Sequence, residues 1–123
     1  MPSRREKGKE AEELAASWLS ERGLKIITRN FYVRGGEIDI IARDGNTLCI
    51  VEVRSKGENS PLQPEEQISD EKIKRVKTAA DRFVKKHRLF SVPVRLDLLV
   101  VEYVDGAPVV KFYPGGLTSD VLT

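Results

Sequence analysis

Glu37-Ile38-Asp39-Ile40-Ile41, then Asp44-Gly45-Asn46, then Cys49-Ile50-Val51-Glu52-Val53-Arg54 is the stretch that decides how this chain folds. Asp-Gly between two runs rich in β-branched residues signals a tight hairpin, because the turn needs residues that tolerate positive φ. Each strand carries one acid in apolar company, Asp39 in the first and Glu52 in the second. An isolated carboxylate in such a strand is costly unless it is paired or binds a metal. Glu52 and Arg54 are two apart and share a strand face. Two carboxylates and a cation at one end of a hairpin suit a divalent metal held against a phosphate. Ion pairs with Arg34, Arg43 or Arg54 are the simpler structural alternative.

Upstream, the spacing predicts a helix over Ser3 to Glu21, with Ala11, Leu14, Ala15, Trp18 and Leu19 as its apolar stripe. Gly23 stands where a helix stop belongs. Leu24 to Val33 reads as extended, and Gly35-Gly36 breaks it before the hairpin. Downstream, Ser55 to Ser69 is polar and contains Gly57, Pro61 and Pro64, which predicts a loop. Ser60, Gln63 and Gln67 would suit a substrate-contacting flap there. A second helix is expected over Asp70 to Arg88, burying Ile73, Val76, Ala80, Phe83 and Val84. Strands over Val94 to Tyr103 and Pro108 to Tyr113 follow, joined by a turn at Asp105-Gly106. The segment from Pro114 onward is expected to be a loosely held tail. The element order is α-β-β-β-α-β-β, and a mixed β-sheet flanked by helices, an α/β fold, buries all of these faces.

At 123 residues the chain is expected to be one domain, 1–123. Its single cysteine, Cys49, excludes an internal disulfide and a thiol-rich metal site, and fits a reducing cytoplasm. No apolar run reaches membrane-spanning length and the first ten residues lack a secretory signal, so a cytoplasmic protein without membrane partners is expected. Net charge is only +2, so the placement of the charges matters more than their sum. The second helix concentrates cations, among them Lys72, Arg75, Arg82 and Lys86. A solvated helix face that complements the helix dipole accounts for them. As a functional reading, they form a rail that contacts phosphates without reading bases. Ser3-Arg4-Arg5-Glu6-Lys7 would add a basic arm. His87 is alone and reads as a surface residue, Trp18 and Phe83 as core, and Arg95 with Asp97 as a structural pair.

Gly36-Glu37-Ile38-Asp39 followed by Val51-Glu52-Val53-Arg54 resembles the signature of the YraN-like family of uncharacterised bacterial proteins. That family resembles archaeal Holliday junction resolvases and the wider restriction-endonuclease-like PD-(D/E)xK superfamily. Gly8, Glu12, Ala15 and Trp18-Leu19 in the first helix, Arg29-Asn30, Lys72 with Ala79-Ala80, and Arg95-Leu96-Asp97 extend the likeness over most of the chain. The resemblance implies a restriction-endonuclease-like fold and a metal-dependent DNA endonuclease, acting on branched or damaged DNA, with Mg²⁺ or Mn²⁺ as cofactor. It implies Asp39 and Glu52 as metal ligands, the Val53 carbonyl as a third oxygen, and Glu12 reaching in from the first helix. Glu12 lies at the edge of the apolar stripe, whereas Glu13 points outward.

Arg54 departs from the superfamily pattern, which has lysine there. Arginine does not lose its proton, so Arg54 can stabilise charge on a phosphate but cannot act as a base. Lys56, facing the same way if the strand continues, is the expected substitute. Glu37 is two residues from Asp39 and by alternation shares its face, as an acid orienting a water or a cation. The departure at Arg54 keeps open a non-catalytic nucleic-acid-binding module on a nuclease-like fold, and an assembly subunit whose acids are structural. DNA is the expected partner, with RNA as an alternative. Two symmetric cuts would need two sites and hence a homodimer, although no segment identifies an interface.

Overall fold

The computed structural model describes residues 4–57 and 68–117, with side chains from Gly8 onward. Helix α1 (Arg4–Glu21) comes first, followed by strands β1 (Lys25–Val33), β2 (Gly36–Asp44) and β3 (Thr47–Lys56). Helix α2 (Asp70–Lys86) and strands β4 (Val94–Val104) and β5 (Ala107–Tyr113) complete the α-β-β-β-α-β-β order. The five strands lie in the sheet in sequence order. All neighbours are antiparallel except β3 and β4, which run parallel. A parallel pair needs a crossover, and α2 lies in that connection.

The helices cover opposite faces of the sheet. Ala11, Ala15 and Leu19 of α1 pack with Leu24, Ile40, Ala42, Cys49, Val51, Leu99 and Val101. Val76, Ala79, Ala80 and Phe83 of α2 pack with Ile38, Ile41, Leu48, Ile50, Leu98 and Val100. With both faces covered, the central strands read as continuous apolar runs rather than alternating ones. Gly23, at φ 90, ends α1, and Leu24 N donates back to Leu19 O at 3.1 Å. At the start of α2 the Ser69 hydroxyl accepts the Lys72 N–H, and Asp70 and Glu71 occupy the first turn. Trp18 packs against Phe112, and Phe83 meets Phe31 edge-on.

Strands β1, β4 and β5 shift by one residue at one end from the sequence expectation, and three differences are larger. β3 continues through Ser55 to Lys56, because β4 offers a ladder that far, pairing Lys56 with Glu102. α2 stops at Lys86, where His87 caps it and Arg88 takes φ 53. The segment expected to be loose from Pro114 is anchored at its start. Gly115 N donates to Asp97 Oδ1 at 2.8 Å, and Leu117 is wholly buried, with its N–H on Leu96 O. Ser3, the side chains of residues 4–7, the positions Ser60, Gln63 and Gln67, and residues 118–123 lie outside the described residues.

Arg95 and Asp97 form the structural pair expected of them. Arg95 donates from Nε to Asp97 Oδ1 at 2.7 Å and from Nη2 to Oδ2 at 3.0 Å, and Asp97 is fully buried. The forked geometry satisfies both carboxylate oxygens. Cys49 is fully buried beside them, and burial pushes its thiol up to about 11. No helix among the described residues is long and apolar enough to cross a membrane.

Candidate metal centre

Residues two apart on a strand normally share a face. Ile38 and Ile40 do not: Ile38 joins the core under α2, and Ile40 the core under α1. The cross-strand neighbours change sides with them. Arg29, opposite Ile40, ion-pairs with Glu13 of α1, whereas Phe31, opposite Ile38, packs with Phe83 of α2. Between Arg29 and Phe31, Asn30 takes the left-handed conformation at φ 53. The two strands therefore turn over together at Asn30 and Asp39, an irregularity of the kind that re-aims side chains beside functional sites.

Asp39 thus sits where groups from both layers meet. The β2–β3 register runs from Asp44↔Thr47 to Ile40↔Val51. Beyond it, the Asp39 side chain takes over, accepting the Val53 N–H on Oδ2 at 2.8 Å. Val53, expected to offer its carbonyl to a metal, is joined to Asp39 through its N–H. Simple alternation does not decide the relation of Glu37 to Asp39, because the strand turns over between Ile38 and Ile40.

Glu52 is buried, with its Oε1 3.5 Å from Lys72 Nζ and 3.8 Å from Arg54 Nε. Its Oε2 is buried and has no hydrogen-bond partner. Burial, then the charge of Asp39, push the Glu52 carboxyl up to about 8, against the pull of Lys72 and Arg54. Burial also raises Asp39, with the Val53 N–H and Lys72 opposing. Glu12, on α1, is raised by burial and next by the charge of Asp39. Its Oε1, like Glu52 Oε2, is buried without a partner. A cleft of about 380 Å³ between α1 and β1, lined by Lys9, Glu12, Glu13, Arg29 and Asn30, opens beside it. A larger cavity of about 790 Å³, between Lys25, Arg43 and His87, is lined by none of these acids.

Asp39 thus acts electrostatically on both Glu12 and Glu52, and Arg54 stands beside Glu52. The structure does not bring Lys56 to them. Lys56 Nζ lies 3.8 Å from Glu102 Oε1 on β4, four residues and roughly 13 Å of strand beyond Glu52. The α2 cations divide. Arg82 and Lys86 are exposed, Arg75 Nη2 lies 3.5 Å from Glu37 Oε1, and Lys72 turns inward. Lys72 Nζ is 2.7 Å from Glu37 Oε1, and this bond lowers the Glu37 carboxyl. Burial works against the Lys72 charge, but Glu37, Glu52 and Asp39 raise its pKa overall.

In the sequence Lys72 stood out as one of many helix cations and as part of the family likeness, not as a neighbour of the hairpin acids. The signal was its phase: Lys72, Val76, Ala79 and Phe83 stand at i, i+4, i+7 and i+11, so this lysine heads the buried stripe.

Can these residues hold a divalent cation? Among the described residues no three His, Cys, Asp or Glu side chains form a ready metal cage. Mg²⁺ does not need one, because it takes one or two carboxylates and retains several waters. Asp39 and Glu52 supply that pair. Glu52 Oε2 and Glu12 Oε1 have no hydrogen-bond partner, and burial raises all three acids, so a cation here would replace protons that burial holds on them. The donor set is hard oxygen and fits Mg²⁺ or Mn²⁺.

The profile of a family described as "Uncharacterised protein family UPF0102" matches residues 11–101, which include all three acids and Lys72. A UPF0102 protein of Anaeromyxobacter dehalogenans is 40% identical over 113 residues, covering 92% of this chain and 84% of its own. That of Carboxydothermus hydrogenoformans is 38% identical over 111 residues, covering 90% and 94%. One from Persephonella marina is 42% identical over 95 residues, covering 77% and 82%. On the span and strength of these matches, the chain belongs to the UPF0102 family.

Proposed function

We propose that this protein is a metal-dependent endonuclease that hydrolyses DNA phosphodiesters, with branched or damaged DNA as its substrate class. The observation that carries the reading is buried Glu52 beside half-buried Asp39, with Glu12 also acting on Asp39 and with Glu52 Oε2 and Glu12 Oε1 lacking hydrogen-bond partners. Asp39 and Glu52 would hold Mg²⁺ or Mn²⁺, with Glu12 bearing on the ion from α1. A bound divalent ion would supply Lewis-acid polarisation of the phosphate and acidify a bound water.

The chain's own residues do the rest. The Val53 N–H fixes the Asp39 carboxylate before any ligand arrives, so no reorganisation is needed at that oxygen. Arg54 sets a permanent positive charge near Glu52 without taking part in proton transfer. Arg82 and Lys86 on α2 are exposed and can follow a phosphate backbone without reading sequence. In the net reaction a water oxygen bonds to phosphorus and the P–O ester bond breaks. One water proton goes to the leaving oxygen and the other to solvent.

Symmetric cutting of a four-way junction would use two copies of the chain, and the lone buried thiol suits a cytoplasmic setting. Arg54 favours a second reading, a nucleic-acid-binding module without catalysis, because a lysine-dependent site would be impaired by arginine there. Incubation with linear, nicked, flapped and four-way DNA in Mg²⁺ or Mn²⁺ separates the two. The first reading expects cleavage that Asp39→Asn abolishes. Salt-sensitive binding without cleavage of any of them would leave the second.

A further inference from the structure

We propose that Lys72 of α2, held by Glu37, is the lysine of this site, replacing the position on β3 that Arg54 occupies. The assignment rests on the phosphodiesterase reading above and says which cation acts in it. Three cations compete for the role, and their geometry separates them. Arg54 Nε stands 3.8 Å from Glu52 Oε1 and makes no hydrogen bond. Lys56 points to Glu102, whose second oxygen also holds Lys111 at 3.1 Å, so Lys56 belongs to a separate ion-pair cluster. Of the three, Lys72 Nζ contacts two acids of the centre, Glu37 at 2.7 Å and Glu52 at 3.5 Å.

Its position is built rather than incidental. The Ser69 hydroxyl accepts the Lys72 N–H at 3.1 Å, which fixes the first turn of α2. One turn on, α2 lies against β2 at Gly36, where an added Cβ would come within 2.5 Å of Arg75 O and 2.8 Å of Ala79 N. Only a glycine permits that approach, and it carries Lys72 to Glu37, the next residue of the strand. The lysine stem runs along the apolar stripe and only a fifth of its side chain is exposed. An ammonium so placed stabilises charge that develops on a non-bridging phosphate oxygen, and no proton needs to leave it. Glu37 is the positioning residue: it leaves Lys72 one fixed partner while Glu52 turns to its ligand.

The test is single-turnover cleavage in Mn²⁺ by the full chain, with DNA binding measured separately in Ca²⁺. Lys72→Ala is expected to lose about 100-fold or more in rate, as for removal of a charge-stabilising donor, while binding changes by less than about threefold. Lys72→Arg should recover part of the loss, and Lys56→Ala, which removes a cation paired with Glu102 outside the centre, should stay within about fivefold of wild type. Glu37→Gln should lower the rate with binding unchanged. Lys72→Met, which keeps the stem in the stripe, covers the case in which the alanine variant unfolds. A folded Lys72→Ala or Lys72→Met variant within about tenfold of wild type overturns the assignment and leaves the nuclease reading standing. A wild-type chain that cleaves no DNA overturns both.

Discussion

The Asp39 carboxylate receives the N–H of Val53 at 2.8 Å, a side chain standing in for strand backbone where β2 and β3 part. This one bond ties the two halves of the hairpin at the place where β2 turns over. It also explains how an acid can sit among Ile38, Ile40 and Val51 with one oxygen satisfied while its neighbour Glu52 keeps an unpartnered one.

Gly36 sets the distance between β2 and α2. Gly36→Ala would drive a methyl into the backbone of α2 at Arg75 and Ala79. The variant is expected to lose about 1–3 kcal/mol in urea unfolding, the range for overpacking. Cleavage should fall further than stability accounts for, because α2 carries Lys72. Unchanged stability would mean that the helix moves away without cost.

Asp97 offers the opposite case, a buried acid whose partners are complete. It receives Arg95 twice and Gly115 once, and Asp97→Ala would strand the guanidinium and free the 114–117 turn. Thermal and denaturant unfolding should show a loss of about 3 kcal/mol or more. Mn²⁺ affinity of the folded protein should stay within a few-fold of wild type. A large drop in metal affinity at full folding would instead place Asp97 in the centre.

The acids also set a pH dependence. Glu52 titrates near 4.5 when unfolded and is raised to about 8 when folded. Between those values the folded chain holds a proton that the unfolded chain has released. Stability of the metal-free protein is therefore full below about pH 4.5 and is lost as pH rises towards 8. Raised Asp39 and Glu12 act in the same direction, whereas lowered Glu37 gives a contribution lost on acidification. Melting temperatures followed from pH 5 to 8 should fall. Glu52→Gln should flatten the curve and gain roughly 1–2 kcal/mol at pH 8, as relief of a functional strain does. A melting point that rises over this range contradicts a buried, proton-holding Glu52.

How much of this was readable from the sequence follows from what sequence periodicity encodes. The hairpin, both helices and the element order follow from the Asp44-Gly45 turn and the apolar spacing, and the structure has them. Glu12 was singled out by the family resemblance, with which its place at the edge of the α1 stripe is compatible. The turnover at Asn30 and Asp39 was not, since alternation assumes a regular strand and the two residues compensate across β1 and β2. Lys56 went to Glu102 because β4 extends the ladder, a pairing between segments about 46 residues apart in sequence. Lys72 met Glu37 only because Gly36 admits the helix backbone, an approach visible in no single segment.

The exposed α2 cations predict a salt dependence. On duplex DNA, each cation that neutralises a phosphate adds about 0.9 to the steepness of log affinity against log salt. Replacing two such cations, as in Arg82→Ala with Lys86→Ala, should therefore flatten the slope by about 2 and weaken binding equally across sequences. Fluorescence anisotropy at several salt concentrations measures it. An unchanged slope would return these residues to a solvated helix face.

Everything proposed for the site depends on Asp39 and Glu52 holding a divalent cation, and titration calorimetry with Mn²⁺ alone tests this without reference to any substrate. Saturable binding near one ion per chain is expected at pH 7–8, with proton release because Glu52 must give up its proton. That signal should vanish in Asp39→Asn and in Glu52→Gln while both remain folded, and persist in Lys56→Ala. Absence of saturable Mn²⁺ binding by the wild-type chain, or binding that survives both carboxylate substitutions, would contradict a metal centre at this pair.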